Sequence, residues 1–359
     1  MERIGGALEV REVPDPAPPA GGVVVEVHAT GLCRSDWHAW AGHDDITLPH
    51  VPGHELAGVI AAVGAGVSKW SAGDRVTVPF AEGCGRCEWC RSGNGQVCPR
   101  QKQPGFTHWG SFAEYVALYA ADANLVALPP TVSVEAAASL GCRFATAYRA
   151  LTGRARLTAG EWVTVVGAGG VGLSAVMIAK AIGARVIAVD RNAGALDVAK
   201  ALGAEHVIVS GAPDHGDEGD VPARVHELTG GSHVAIDAVG SEETCADSIL
   251  SLRRRGRHVQ VGLLPPVDGR PPRVPMGRVL GWELDLLGSH GMAADDYPGM
   301  LALIERDELR PHELIERIVS LEDAAALLPT FDNAAPAGLT IIDPRRTAPG
   351  RFETARNGR

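Results

Sequence analysis

The chain has 359 residues, 45% hydrophobic and 21% charged, a globular balance and a length that suit about two domains, each with its own core. A formal net charge of -10 argues against a nucleic-acid partner, which calls for a basic face. No apolar run approaches the roughly 18 residues that span a bilayer, and MERIGG at the start lacks the basic-then-apolar plan of a secretory leader; a soluble cytoplasmic chain is expected.

Residues 1–143 are expected to form one β-rich domain. Glycine, proline and valine abound, and short stretches alternate, as in Val23-Val24-Val25-Glu26-Val27-His28. Gly31 to His38 (GLCRSDWH) and Gly53-His54-Glu55 lie on either side of a turn-rich stretch. The loop 83–99 then carries Cys84, Cys87, Cys90 and Cys98, a C-x2-C-x2-C-x7-C spacing. Four thiolates from one loop can close a tetrahedron about a zinc ion and leave no position for substrate, so such a metal folds a loop and does no chemistry. In a reducing compartment the cluster suits metal better than disulfides. An iron–sulfur cluster is the alternative for closely spaced cysteines.

The texture changes around Thr146. Short β-branched runs then alternate with alanine-rich helical stretches: Trp162 to Val166, Arg185 to Asp190, His206 to Val209, His233 to Asp237, Arg257 to Val261 and Leu284 to Gly288. Six strands separated by helices predict a doubly wound parallel sheet over 144–288. After Gly288 the alternation stops, and 289–344 is expected to rejoin the first domain. The polar, basic tail 345–359 is expected to fray.

The first of these runs leads straight into Gly167-Ala168-Gly169-Gly170-Val171-Gly172, followed by helical composition to Gly183. In this context the glycines read as a dinucleotide turn. Gly167 permits the bend, Gly169 lets a pyrophosphate approach the backbone, and Gly172 allows close helix–strand packing. Gly170 and Val171 open a helix whose N–H groups favour anions. Asp190 ends the second strand about 20 residues on, where a carboxylate accepts from the ribose hydroxyls and repels a 2′-phosphate. NAD is therefore favoured over NADP, although Arg191 beside it suits a phosphate. The alternative is a strand–turn–helix with no ligand.

A second constellation is open. Cys33, His54 and Cys142, each unremarkable alone, together make a three-ligand zinc set with a fourth position left for water or substrate. Cys142 falls where the first domain hands over to the second, which would bring the metal to a cleft beside the nicotinamide.

Here a family resemblance becomes specific. Cys33-Arg34-Ser35-Asp36, Gly53-His54-Glu55, the four-cysteine loop, Gly110-Ser111-Phe112-Ala113-Glu114-Tyr115, Cys142 and the glycine turn resemble the motifs of the zinc-containing alcohol dehydrogenases of the medium-chain dehydrogenase/reductase family, over almost the whole chain. The resemblance implies an α/β protein, with a GroES-like β-rich catalytic domain in two chain segments around a six-stranded Rossmann domain. It implies two zinc ions per chain, catalytic on Cys33, His54 and Cys142 and structural on Cys84, Cys87, Cys90 and Cys98. The reaction implied is reversible oxidation of a primary or secondary alcohol to an aldehyde or ketone, with hydride passing to NAD.

By the same resemblance Ser35 is the relay hydroxyl and His38 the exposed base, Asp36 orients His54 as metal-bound histidines require, and Glu55 stands behind the zinc. Thr146 packs near the nicotinamide, and backbone at Val239, Gly240, Val261, Gly262 and Leu263 holds its carboxamide. Two departures stand out: Ala195 replaces a basic residue after Asp190, and Leu339 follows Gly338 where the family often has arginine. Arg34 is the candidate for the missing phosphate contact. By the same resemblance the chain is expected to begin several residues late, short of a usual first strand. A small alcohol or carbonyl substrate and a homo-oligomer, a tetramer before a dimer, are implied.

Rivals differ at identifiable residues. A zinc-free quinone or enoyl reductase lacks the three ligands, and a polyol dehydrogenase often carries a carboxylate in place of Cys142. Another specialised carbonyl reductase of the family and a non-catalytic zinc- and nucleotide-binding protein complete the set. Ser35, smaller than threonine, leaves room for larger or secondary alcohols. Trp40, His43, Trp109 and Trp282 are read as pocket walls or as core, and Cys245 as a buried thiol on a helix after the fourth strand.

Overall fold

The structure, a computed structural model, describes residues 1–211, 220–331 and 338–346; most of the expected tail, 347–359, lies outside them. The chain divides into two compact units. One comprises Met1–Cys142, Met292–Leu301 and the chain from Ile315 onward; the other comprises Arg143–Gly291 and Ala302–Leu314.

In the first unit, β1 (Val23–Leu32), β2 (Glu55–Val63), β3 (Arg75–Thr77), β4 (Tyr115–Leu118) and β5 (Val126–Ala127) form a largely antiparallel sheet. The strands β12 (Ile315–Val319) and β13 (Leu339–Ile342) complete it. Val23, Val25 and Val27 point into one core with Leu56, Ile60, Val76, Val116 and Leu118, as the period of two along a strand requires. The alternation ends at Ala29, and β1 is buried from there to Leu32. A second apolar cluster of Leu32, Ala324, Leu328, Phe331 and Ile342 explains the change, because it lies where β13 pairs with Thr30, Gly31 and Leu32.

In the second unit, β6 (Trp162–Val166), β7 (Arg185–Asp190), β8 (His206–Val209), β9 (Ser232–Asp237), β10 (Leu252–Gln260) and β11 (Asp285–Gly288) pair in parallel in the order β11-β10-β9-β6-β7-β8. This is the doubly wound order, which reverses between β6 and β9. The fifth strand starts five residues before its apolar run. Leu252 pairs with Ser232, but the register is irregular up to Arg257, Arg253 to Arg255 are exposed, and Arg255 has φ 60°. A run of arginines hides a strand whose side chains face water. Cys245 is buried on the helix Glu242–Leu250. Among the described residues no helix is long and apolar enough to cross a membrane.

The bend after β6 depends on its glycines. Gly167 has φ 96°, and a Cβ on Gly172 would lie 1.7 Å from the Gly167 carbonyl oxygen. Only glycine permits that approach, which brings the helix Gly170–Ile182 directly onto the strand end.

Candidate active site

Antiparallel pairing explains why ligands 21 positions apart in sequence meet. Gly31, near the end of β1, pairs with Glu55 at the start of β2, so Cys33 leaves one strand where His54 enters the other. Cys33 is also the residue before the helix Arg34–Ala41. Asp36 on that helix joins the two segments. Its Oδ2 accepts the Cys33 N–H at 2.9 Å, while its Oδ1 accepts the Gly53 N–H at 3.1 Å and bonds His54 Nδ1 at 2.9 Å. The carboxylate is fully buried. We expect Asp36→Asn to cost about 10- to 100-fold in metal affinity or turnover, checked by zinc titration alongside steady-state rates; unchanged affinity and unchanged rate would show that His54 needs no such partner.

The third ligand comes from the turn Leu140–Phe144. The Phe80 N–H donates to the Gly141 carbonyl at 3.0 Å, a Cβ on Gly141 would lie 3.0 Å from the Glu55 Cα, and the Tyr297 hydroxyl donates to the Leu140 carbonyl at 3.0 Å. Donor atoms of Cys33, His54, Glu55 and Cys142 thereby lie within 4.8 Å of one another. His54 Nε2 is buried and has no nitrogen or oxygen partner, an arrangement that is costly unless a cation fills it. Burial opposes charge on His54, but the Asp36 carboxylate outweighs it and holds the pKa above the ordinary histidine value. The hydrogen bond to Asp36 Oδ1 holds a proton on Nδ1, so that the neutral ring offers Nε2 to a metal. Two thiols, an imidazole and a carboxylate are a donor set that fits zinc.

The cysteine loop converges as well. Sulfurs of Cys84, Cys87, Cys90 and Cys98 lie within 4.8 Å of one another. The loop is closed at its base by reciprocal backbone bonds between Glu82 and Lys102 at 2.8 and 2.9 Å. The N–H groups of Cys84 and Arg100 donate to the Cys98 sulfur at 3.4 and 3.3 Å, and the Arg100 guanidinium donates to Cys84 at 3.3 Å. The Arg86 backbone N–H holds the Cys84 thiol down to about 5, whereas burial and the neighbouring Cys87 sulfur push Cys90 up to about 12. Sulfurs this close cannot all ionise without a cation between them, and a zinc ion fits that demand.

Other expected site residues fall in both units. Ser35 and His38 share the helix after Cys33, with the Ser35 hydroxyl 3.8 Å from the Cys33 sulfur. His38 is half-buried, and burial together with the Arg34 charge pushes its pKa below the ordinary value. The exposed Arg34 guanidinium lies 5.2 Å from the Trp37 ring centre. In the second unit Asp190 ties the glycine turn to its own strand: Oδ2 accepts the Ala168 N–H at 2.6 Å and Oδ1 the Asn192 N–H at 2.8 Å. Gly170 and Val171 open a helix that no side chain caps, and a Cβ on Gly169 would meet nothing within 4 Å. That open helix start suits a phosphate. Arg191 beside Asp190 is exposed, and Thr146 is buried on the helix Ala145–Arg149.

The Val239 and Gly240 N–H groups both donate to Asp237 Oδ1, at 2.9 and 3.0 Å, and the Val261 N–H donates to the Asp237 carbonyl. The Val239 and Leu263 side chains are exposed. Of the aromatic candidates, Trp40 packs in the cluster around Leu32, Trp109 is 45% exposed, and Trp282 lies in the second unit with the Arg254 and Arg278 guanidinium groups 4.9 and 4.1 Å from its ring centre. Sequence reasoning missed Phe80 and Phe106, whose ring centres lie 6.1 and 5.2 Å from that of His54. No spacing flags them, since each stands in a loop.

A doubly wound sheet with an open glycine turn, and a separate unit with two sulfur-rich donor sets, define a zinc-dependent dehydrogenase. Residues 19–130 match the alcohol dehydrogenase GroES-like domain, and 170–306 match the zinc-binding dehydrogenase domain. An alcohol dehydrogenase of Geobacillus stearothermophilus is 39% identical over 270 residues, covering 74% of this chain and 77% of the relative. Among solved structures, an NAD-dependent alcohol dehydrogenase superposes with a TM-score of 0.84 at 31% identity, covering 96% of this chain and 97% of the other. A zinc-binding dehydrogenase of Sinorhizobium meliloti 1021 bound to NADP gives 0.83 at 28% identity, covering 96% and 97%. The chain belongs to the zinc-dependent alcohol dehydrogenases of the medium-chain dehydrogenase/reductase family.

Proposed function

We propose that this oxidoreductase interconverts a primary or secondary alcohol with its aldehyde or ketone, using NAD in preference to NADP and two zinc ions per chain. The observation that carries the reading is the buried donor set of Cys33, His54 and Cys142, with His54 Nε2 lacking a nitrogen or oxygen partner. Zinc held there would act as a Lewis acid, lowering the pKa of an alcohol oxygen or polarising a carbonyl, and NAD would accept the hydride. The four-cysteine loop would hold the second ion for structure alone.

The chain's own groups do the rest. Asp36 fixes the tautomer of His54, and the rings of Phe80 and Phe106 wall His54 with apolar surface. Ser35 and His38, three apart on one helix, share a face along which a proton can leave. The unit of Met1–Cys142, Met292–Leu301 and the chain from Ile315 would carry the metal chemistry. The unit of Arg143–Gly291 and Ala302–Leu314, which takes 302–314 out of the expected second catalytic segment, would bind coenzyme through the glycine turn, with Thr146 and the turns at Val239 and Val261 to Leu263 beside the nicotinamide. Arg34 would meet phosphate, and Glu55 would tune the metal. The thiol-rich loop suits a reducing, cytoplasmic setting, and a homotetramer is the proposed assembly.

A panel of alcohols and aldehydes, assayed with NAD and NADP by absorbance of the reduced coenzyme, tests the reading; no turnover with any pair would remove it. The resemblance to both an NAD-dependent and an NADP-bound protein leaves coenzyme choice to Asp190. Losing a charged hydrogen-bond acceptor costs about 1.5–3 kcal/mol, or roughly 10- to 100-fold, so Asp190→Ala should raise the KM for NAD by about that factor and narrow the preference over NADP. Equal KM values in parent and variant would take Asp190 out of the coenzyme site.

A further inference from the structure

His38 and His43 meet nitrogen to nitrogen, with Nδ1 atoms 2.8 Å apart. The local fold builds this contact. Gly42, at φ 87°, ends the helix Arg34–Ala41 in the left-handed region, and the His43 N–H donates to the His38 carbonyl at 2.9 Å. The chain therefore turns back over its own last turn. Trp37 packs edge-on against both rings, with centres 5.1 and 5.4 Å away.

Two imidazole nitrogens at that distance share one proton, because two lone pairs or two N–H groups would repel. The pair also runs outward, since His38 is half-buried and His43 exposed. The charged groups that act on His38 are Arg34 and His43, which disfavour a proton on it, and Asp44 and Cys33, which favour one.

Resting on the dehydrogenase reading above, we infer that His43 is the outer member of a two-imidazole relay that carries the alcohol proton from His38 to water. During oxidation His38 gains an N–H bond at Nε2 and gives up the one at Nδ1 to His43 Nδ1. His43 then releases its Nε2 proton to water or buffer. One proton crosses, no electrons move with it, and each ring ends neutral in the opposite tautomer. Burial keeps a positive charge from resting on His38, so an exposed acceptor beside it has a use in turnover. His43 acts through His38 and is a positioning and relay residue, not one that touches the reacting atoms.

The test uses the full-length, zinc-loaded enzyme and its His43→Ala variant in weak buffer across a range of pH. Near and below neutrality, the variant's kcat for alcohol oxidation should fall about tenfold, within the reach of a single acid–base group, with the KM for coenzyme unchanged. The acid limb of its profile should move to higher pH, and imidazole added to solution should restore the rate. Independently of turnover, ring nitrogen NMR of the parent should show one histidine of the pair held with its proton on Nδ1, and the variant should lose that signal. A parent that reduces no coenzyme removes the dehydrogenase reading and the relay with it. An active parent whose variant keeps full kcat at low pH, or whose His38 ring nitrogens resonate in the variant as they do in the parent, overturns the relay alone.

Discussion

Cys33→Ala should all but abolish alcohol-dependent reduction of NAD while leaving the protein folded. Cys33 supplies one of three sulfur and imidazole donors in a cluster within 4.8 Å, and its loss leaves one thiol and His54 with the Glu55 carboxylate. Lewis-acid stabilisation is worth several kcal/mol, so removing about 4 kcal/mol implies a fall of roughly 10^3-fold in kcat/KM. Bound zinc should drop from two ions per chain to one. The sheet should survive, because Cys33 stands just past the end of β1 and takes part in its structure mainly through the backbone N–H that donates to Asp36. Full turnover in this variant would end the proposed mechanism, and unchanged zinc content would show that the ion binds elsewhere.

Cys98→Ala should act on stability. The segment from Cys84 to Cys98 has little apolar burial of its own: its short helix Glu88–Arg91 buries nothing, and Trp89 and Val97 are nearly half exposed. Cys98 is only 1% exposed and gathers two N–H donors on its sulfur. Structural zinc contributes folding free energy directly. If one lost thiolate costs about 3–5 kcal/mol, Tm should fall by roughly 10 °C, again with one zinc ion lost. A denaturation curve superimposable on the parent, with one ion gone, would show that the lobe needs no metal.

Strand positions were legible wherever a strand is buried on both faces. β6, Trp162–Val166, is buried throughout, so its apolar run marks it fully. The start of β10 is hidden because Arg253 to Arg255 carry no apolar signal and lie in the irregular stretch between the Leu252 and Arg257 pairings with β9. Similarly, the four cysteines advertise one another by spacing. Cys33, His54 and Cys142 do not, because their meeting depends on the β1–β2 register and on a turn anchored by Tyr297, a residue 155 positions beyond Cys142 in the chain. Family motifs supplied that long-range link. The rings of Phe80 and Phe106 and the return of His43 onto His38 were invisible, since each rests on a loop path that no periodicity encodes.

One edge of β1 beside Cys33 is covered by β13, which pairs Thr340 with Leu32. During synthesis both sets of thiols therefore leave the ribosome long before that edge has its partner. Until the last strand arrives, the growing chain presents bare backbone donors and acceptors next to a metal ligand, which is a template for pairing with a neighbouring chain. The interval between making the ligands and shielding them is a hazard set by topology, independent of how tightly the finished site holds its ion.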